Sequence, residues 1–273
     1  MSLPPEYIAA RSVLLDGLEA LRDHLDHVIL IGAQAVYLWA GEGDFSVSIM
    51  TTDADLGLNA AELSPEPLIQ DVLERNGFIT KAGGNPGQWI GPTGIALDLM
   101  VSEHQAGEGR RSARIPPHGK ETARRGRGLA PALVDFETIT LGALEQDDGR
   151  TCQVNVAGPA ALIVAKCIKL KERLEDKDTN KRDRVKPKDA LDILRLLRAV
   201  DLDRIADGFS RHQMDLAAAQ ESNEALTFLV AQSTTLTPTL PDLAEQAAAG
   251  DESAALSFTI LVQELSNVLN SRS

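Results

Sequence analysis

The chain has 273 residues and 43% hydrophobic content, which is enough for one large domain or two modest ones. Its formal net charge of −13 argues against general, backbone-driven binding to nucleic acid. It contains no run of about 18 apolar residues, which excludes a membrane-spanning helix, and its start lacks the features of a signal peptide. Its two cysteines, Cys152 and Cys167, have no metal-ligand spacing and favour a cytoplasmic chain with free thiols.

Short apolar runs alternate with helical patterns through the first half of the chain. In chain order, the patterns predict a helix at 6–25, a strand at 28–31, a helix at 33–40, a loop at 41–52, a strand at 53–58, a helix at 67–75, and strands at 78–81, 88–90 and 95–101. A long polar loop is predicted at 102–130, and short strands at 133–136 and 153–156.

The second half is predicted to be helical. Helices at 160–174 and 188–200 flank a dense charge run at 175–186 that is expected to be a mobile hinge, and the only break after Asp201 is at 234–241. The chain is therefore predicted to be α+β. Residues 1–158 would form a mixed β-sheet with flanking helices, and residues 159–273 an all-helical domain.

Three aspartates lie on two of the predicted strands. Asp53 and Asp55 project from one face, about 6–7 Å apart, because side chains alternate along a strand. Asp98 interrupts a buried apolar run, where an unpaired carboxylate costs several kcal/mol. Three carboxylates on neighbouring strands would suit Mg²⁺, and two such ions can clamp the oxygens of a phosphoryl transfer. The alternative is that the first two aspartates lie on a solvated strand edge.

Basic residues concentrate in two segments despite the negative net charge. Seven Lys and Arg residues lie between Arg110 and Arg127, and ten between Lys166 and Lys188. This distribution indicates a directed anionic partner, such as a nucleotide or one RNA end, although solvated loops would show the same pattern.

The histidines and tryptophans carry weaker signals. His104 and His118 are expected to be solvated. Trp39 and Trp89 are expected to be packing residues, Trp89 being the better placed of the two to stack on a base.

The order of these pieces resembles the nucleotidyltransferase fold: a strand, a glycine turn, a helix, a Thr-x-Asp-x-Asp strand at 51–55, and a lone aspartate on a later strand. Further on, residues 166–173 and Lys188-Asp189-Ala190-Leu191-Asp192 resemble the K-x-x-A-x-x-x-R and K-D-x-x-D motifs of AbiEii-type nucleotidyltransferases. Those are toxins of toxin–antitoxin and abortive-infection systems and include the MenT-like toxins. The resemblance covers roughly residues 26–200.

The resemblance implies a Mg²⁺-dependent enzyme that transfers a nucleotide from an NTP to an acceptor hydroxyl. The roles it implies are metal binding and catalysis for Asp53, Asp55 and Asp98, charge neutralisation of the triphosphate for Lys166, and nucleotide binding or support for Gly32, Ala33, Thr52, Lys188 and Asp189. Asp98 would also help to deprotonate the acceptor hydroxyl.

Three positions depart from the family pattern. Gly32-Ala33-Gln34 lacks a phosphate-binding hydroxyl that Thr51 or Thr52 would have to replace, Ile49 stands where an arginine is frequent, and Lys169 stands in place of an alanine. Three hypotheses therefore stay open. The acceptor is RNA, such as a tRNA 3′ end, bound through the basic 110–127 loop, with toxicity controlled by a cognate antitoxin. The acceptor is a small molecule, such as an antibiotic, attracted by the acidic C-terminal half. Or the chain is a degenerate nucleotide-binding module without activity.

Overall fold

The structure, a computed structural model, describes residues 3–41, 51–176, 184–234 and 239–272. Three features of the sequence analysis lie outside the described residues: Ile49, most of the predicted hinge, and Pro238 in the predicted break at 234–241. Pro241, in the same predicted break, lies inside a helix, where a proline near the helix start removes no intrahelical hydrogen bond.

Nine helices and eight strands make up the described parts of the chain. The helices are α1 Pro5–Ala20, α2 Gly32–Ala40, α3 Ile69–Arg75, α4 Pro159–Leu174, α5 Pro187–Ala199, α6 Leu202–His212, α7 Leu216–Ser233, α8 Thr239–Ala247 and α9 Glu252–Arg272, with short 3₁₀ helices at Arg22–His27 and Pro131–Leu133. The strands are β1 Val28–Ile31, β2 Asp53–Leu58, β3 Ile79–Thr80, β4 Gln88–Ile90, β5 Ala96–Ser102, β6 Arg124–Gly126, β7 Phe136–Gly142 and β8 Thr151–Ala157.

All eight strands join one mixed sheet in the order β3-β4-β5-β2-β1-β8-β7, with β6 paired to the far end of β5. The pairs β2–β5, β1–β8 and β5–β6 are parallel, and the other pairs are antiparallel. After β8 the described residues form helices and their connections. The predicted α+β class, a mixed sheet with flanking helices followed by a helical region, is confirmed. Among the described residues, none of the helices combines the length and apolar character needed to cross a lipid bilayer.

The predicted strand at 133–136 is wrong. That segment contains the 3₁₀ turn Pro131–Leu133, and the strand β7 starts only at Phe136 and runs to Gly142. Leu141 is the one residue of β7 that is buried, because β7 lies at the edge of the sheet, so its sequence carries little apolar signal.

The predicted long loop at 102–130 is only partly correct. It contains the strand β6, and its small apolar residues Ala106, Ala113, Ile115 and Ala123 are buried. These residues are spaced too irregularly to form a helical or strand pattern, although they anchor the segment to the protein.

One hydrophobic cluster includes strand residues such as Leu30, Leu56 and Leu97 together with helix residues such as Leu194 and Phe258. Because this one cluster includes residues from both sides of residue 158, the division into two domains at that residue stays a prediction.

Asp135, just before β7, connects the sheet to the helical region. Its Oδ1 accepts a hydrogen bond from Nε of Arg211 (3.1 Å), and its Oδ2 lies 3.3 Å from Nε2 of His212. The hydroxyl of Ser222 lies 2.8 Å from Nδ1 of that histidine. Burial raises the pKa of Asp135, but the hydrogen bonds from His212 and Arg211 outweigh burial and lower it. Asp135, His212 and Ser222 are all buried, and their contacts link the sheet to the helices α6 and α7.

Candidate active site

The three aspartates meet at the centre of the sheet. Strands β2 and β5 are parallel neighbours, and their register places Asp55 directly beside Asp98. Asp53 lies two residues before Asp55 and therefore projects from the same face. We call Asp53, Asp55 and Asp98 the carboxylate cluster.

Buried polar contacts fix the start of β2. The Thr51 hydroxyl donates to Oδ1 of Asp53 (2.7 Å), and Nε2 of Gln34 donates to the Asp53 carbonyl oxygen (3.2 Å). Oε1 of Gln34 accepts from Nε of Arg11 (3.0 Å), so the amide is held at both ends. Gln34 occupies the position where a phosphate-binding hydroxyl was expected from the family pattern. Here it supports the strand that carries the carboxylates.

Gly32 allows the turn from β1 into α2 to approach the carboxylate cluster. Its φ of +71° is one that residues with a side chain rarely adopt, and a Cβ added there would lie 2.1 Å from Oδ2 of Asp55. The backbone at the start of α2 therefore lies against the carboxylates, and Ala33 and Thr52 line the same cavity.

The carboxylates are crowded and partly desolvated. Burial, and after it the charges of Asp53 and Asp98, raise the pKa of Asp55 from 3.8 to about 7. Burial also raises the pKa of Asp98, with Arg124 opposing and Asp53 reinforcing the shift. Arg124 donates to Oδ2 of Asp98 (3.2 Å), whereas Oδ1 of Asp98 is buried and has no hydrogen-bond partner among the described residues. An orphaned, buried carboxylate oxygen is costly unless a cation or a proton occupies it.

The donor chemistry of the carboxylate cluster fits Mg²⁺. The cluster supplies hard oxygen ligands, including the orphaned Oδ1 of Asp98, and a divalent cation would relieve the mutual repulsion that raises the pKa of Asp55. Within residues 3–41, 51–176, 184–234 and 239–272, however, no three His, Cys, Asp or Glu side chains are arranged so that they could hold a metal ion as they stand. Mg²⁺ commonly uses only one or two carboxylates and takes its remaining ligands from water and phosphate.

The carboxylate cluster and a group of cations line one cavity of about 840 Å³. We call these cations the basic wall: Arg124 and Arg125 on β6, Lys166, Lys169 and Arg173 on α4, and Lys188 on α5. This volume lies within the range of small-molecule sites. Its described lining includes nine Lys and Arg residues and six Asp and Glu residues. All the residues that the resemblance singled out line this one cavity: Gly32, Ala33, Thr52, Asp53, Asp55, Asp98, Lys166, Lys188 and Asp189.

Lys166 is held by buried carboxylates. Its ammonium nitrogen Nζ lies 3.0 Å from Oδ1 of Asp189 and 2.6 Å from Oδ2 of Asp192, and its side chain is 7% exposed. Burial lowers the pKa of Lys166, but the two aspartates overcome burial and raise it well above its usual range. Lys166 therefore links α4 to α5. Asp192 is its second partner, and the i, i+3 spacing of Asp189 and Asp192 is the signal that could have identified both.

Other cations of the basic wall are less buried than Lys166. Lys169 donates to Oδ1 of Asp189 (3.0 Å), and Arg173 donates to Oδ2 of the same residue (3.2 Å). The Lys188 ammonium lies 5.8 Å from the centre of the Tyr37 ring. Burial lowers the pKa of Lys169 and of Lys188. Desolvated cations interact strongly with an anionic ligand, because little hydration remains to be lost when the ligand arrives.

The expectation for His118 was wrong, whereas the expectation that Trp89 is a packing residue is confirmed. His118 is not solvated: it is buried, its Nδ1 accepts from the Ile69 amide (3.3 Å), and its Nε2 lies 3.0 Å from the Ser64 carbonyl oxygen. Trp89 is only 1% exposed and donates to the Thr122 carbonyl oxygen (3.1 Å), so it cannot stack on a base.

The predictions for the other two aromatic residues, Trp39 and His104, can also be compared with the structure. Trp39 is a packing residue, since its Nε1 donates to the Ala157 carbonyl oxygen (2.8 Å) and the Arg204 guanidinium covers its ring. His104 is exposed, and its Nδ1 lies 2.8 Å from the Ser102 hydroxyl.

Comparison with known proteins finds similarity only at the level of structure. No protein-family model matches the chain, and no curated protein sequence matches it. JHP933 from Helicobacter pylori is similar with 13% identity and a TM-score of 0.44, covering 99% of this chain and 96% of that one. An antigenic nucleotidyltransferase-like protein from Paracoccidioides brasiliensis is similar with 17% identity and a TM-score of 0.45, covering 91% and 94% of the two chains. Similarities this remote do not assign an activity to this chain.

Proposed function

We propose that this protein is a Mg²⁺-dependent nucleotidyltransferase that moves a nucleotide from an NTP to an acceptor hydroxyl, the acceptor being RNA, such as the 3′ end of a tRNA. One observation carries the proposal: the carboxylate cluster and the basic wall line the same cavity of about 840 Å³. Phosphoryl-type transfer needs positioning and charge neutralisation more than covalent chemistry. Carboxylates can hold the cations, and lysines and arginines can hold the phosphates.

Each residue has a defined task in this proposal. The acceptor oxygen forms a bond to the α-phosphorus while the bond from that phosphorus to the bridging oxygen breaks, and pyrophosphate leaves. The acceptor proton passes to Asp98, which lies directly beside Asp55 on the neighbouring strand. Mg²⁺, when bound by the carboxylate cluster, supplies Lewis-acid neutralisation of the phosphate charge.

The basic wall receives the β- and γ-phosphates. Lys169 and Lys188 line the cavity and carry the charges best placed for this task. Lys166 contributes as a positioning residue, since its two buried ion pairs fix the start of α5 against α4. The backbone at Gly32 offers helix N-terminal amides beside the carboxylates.

Two alternatives make different predictions. A small cationic acceptor, such as an aminoglycoside-like antibiotic, would be attracted by the acidic C-terminal half, and expression would then confer drug resistance. The described lining of the cavity, with nine basic and six acidic residues, favours an anionic acceptor instead. A degenerate binding module would be stabilised by Mg²⁺ and NTP through mass action but would show no turnover.

The toxin role rests on the sequence resemblance to AbiEii-type enzymes. If it is correct, induced expression of the wild type arrests bacterial growth, whereas an Asp53→Asn/Asp55→Asn variant does not. Growth arrest by that variant as well would contradict the toxin role, because the arrest would then be independent of the carboxylate cluster.

The activity itself is tested by incubating the protein with total bacterial RNA, Mg²⁺ and each of the four α-³²P-labelled NTPs in turn. We expect label on a tRNA-sized band with one or more NTPs, and loss of this label when Mg²⁺ is chelated. The Asp53→Asn and Asp98→Asn variants should lose on the order of 10²-fold or more in rate. Asp71→Asn, which changes an exposed aspartate on α3, is the matched control and should keep full activity. No label with any NTP would contradict an RNA acceptor.

A further inference from the structure

A second cavity, of about 540 Å³, lies beside the candidate active site. Its described lining contains four basic residues and one acidic residue, Glu108. We call this cavity the basic cleft and define it by its four cations: Arg110, Arg111, Arg114 and Lys120.

The fold of the segment explains why these side chains point outward. Ala113 and Ile115 are buried, whereas Arg114 between them is exposed. The backbone of this segment is held in place by two hydrogen bonds. The Ala113 amide donates to the carbonyl oxygen of Ala123 (2.9 Å), and the Arg114 amide donates to the carbonyl oxygen of Ala106 (2.7 Å). The cations therefore project from an ordered, hydrogen-bonded segment.

The basic 110–127 loop divides into two electrostatically different parts. Its C-terminal part is already neutralised: Arg124 pairs with Asp98, Arg125 with Glu103, and Arg127 with Glu103, Glu172 and Glu224. By contrast, Arg110, Arg114 and Lys120 make no ion pair with any described residue, and Arg111 donates only to the Asn85 side-chain oxygen (3.3 Å). All four cations of the basic cleft are exposed.

The basic cleft leads into the candidate active site. Arg110 lines both cavities, and Asn85 and Pro86 are consecutive residues on the two sides. An extended polyanion in the basic cleft could therefore place its end beside the carboxylate cluster. No aromatic side chain lines either cavity among the described residues, so recognition would act on phosphates and not through stacking on aromatic rings.

From these observations we infer that the basic cleft binds the phosphodiester backbone of a single-stranded RNA acceptor next to its reacting end. This inference rests on the proposed function, because it names the path by which the acceptor reaches that site. It also places acceptor binding in the 110–120 part of the loop, while Arg124, Arg125 and Arg127 serve to hold β6 and the acidic residues around it.

The expected effect follows from counterion release. Each phosphate contact to a single strand contributes about −0.7 to the slope of log K against log salt concentration, so four contacts give a slope of about −3. Replacing two of the four cations should make this slope shallower by about 1.4. At about 0.15 M salt, the same loss corresponds to roughly tenfold weaker binding.

The test measures binding of a fluorescein-labelled 12-nucleotide oligouridylate by fluorescence anisotropy over a range of KCl concentrations. The variant is Arg114→Gln/Lys120→Gln, which changes the basic cleft but no residue of the active-site cavity. The matched control is Arg22→Gln/Arg75→Gln, which removes the same charge from exposed positions elsewhere. We expect the cleft variant to bind about tenfold more weakly with a shallower salt slope, and the control to bind like the wild type.

Three outcomes would overturn the inference: equal binding by the cleft variant and the wild type, an equal loss in the control, or competition by poly-L-glutamate as strong as by unlabelled oligouridylate. The last outcome would assign the basic cleft to an acidic protein. Nucleotide transfer to RNA by the cleft variant at an unchanged RNA KM would also overturn the inference while leaving the proposed function intact. Cleft-dependent RNA binding by a wild type that transfers no nucleotide would count against the proposed function alone.

Discussion

Replacing Asp55 with asparagine should stabilise the protein in the absence of metal. Asp55 shares one face of β2 and β5 with Asp53 and Asp98, and burial with this repulsion raises its pKa from 3.8 to about 7. In the unfolded chain the Asp55 carboxyl ionises with a pKa of 3.8, whereas in the folded protein it stays protonated until the pH approaches about 7. As pH rises from about 4 to 7, the folded state therefore loses stability relative to the unfolded state.

The size of this effect follows from the two pKa values. The difference between 3.8 and about 7 corresponds to about 4 kcal/mol when the folded carboxyl is fully ionised. At pH 5 the penalty is only about 1.6 kcal/mol, since the folded carboxyl is then protonated. An asparagine of the same shape carries no such penalty. Its stability advantage should therefore grow by about 2.5 kcal/mol between pH 5 and pH 8.

The assay is urea unfolding of the wild type, Asp55→Asn and the control Asp71→Asn at both pH values in EDTA, repeated with Mg²⁺. Without metal, Asp55→Asn should be more stable than the wild type at pH 8 and closer to it at pH 5. With Mg²⁺, only the wild type and Asp71→Asn should gain stability. The reasoning would be refuted if Asp55→Asn were less stable than the wild type at pH 8 in EDTA, or if its advantage did not change with pH.

Three further predictions concern other parts of the site. Gly32→Ala should abolish Mg²⁺-dependent stabilisation and nucleotide transfer, because the new Cβ would lie 2.1 Å from a carboxylate oxygen of the cluster. The control Gly41→Ala also changes a glycine of positive φ, but no atom of the described residues lies within 4 Å of the added Cβ, so it should retain both properties in thermal melts and in the ³²P assay. Lys166→Met removes the ion pair of the buried Asp192 and one of the three cations that contact Asp189, so it should cost about 3–5 kcal/mol in urea unfolding, with partial recovery when Asp192→Asn is added. No recovery would argue against the ion pair with Asp192 as the cause. Trp89→Phe should leave oligouridylate affinity unchanged while lowering the unfolding free energy by about 1–3 kcal/mol, and weaker RNA binding would restore a stacking role.

β1 and β5 were predictable because burial on both faces leaves a nearly continuous apolar run, and β2 and β4 because turn residues bound short segments with buried apolar positions. β1, β2 and β4 have the predicted bounds, and β5 is displaced by one residue. The shared face of Asp53 and Asp55 also follows from sequence, since it needs only the two-residue period of a strand. β6 and β7 were missed for the opposite reason, as one is short and basic and the other is largely exposed.

The partners of the site residues could not be predicted, because they depend on how distant elements pack. Lys166 lies on an apolar stretch of α4, and only the position of α5 shows that Asp189 and Asp192 meet it. Gln34 is similar: its role depends on Arg11 and Asp53 approaching it from two other elements. The neutralisation of Arg127 by Glu224 joins residues 97 positions apart.

The Asp135 link has a consequence for how the chain folds. Its contacts to Arg211 and His212 span 76 and 77 residues, so forming them requires closure of a long loop. Contacts of high sequence separation form late and slow folding, since the entropy of loop closure is lost before any interaction compensates for it. The sheet and the helical region would then reach the native state in one cooperative transition. Residues 1–158 made alone would expose a buried carboxylate with no counter-charge and should not hold the native arrangement of the site.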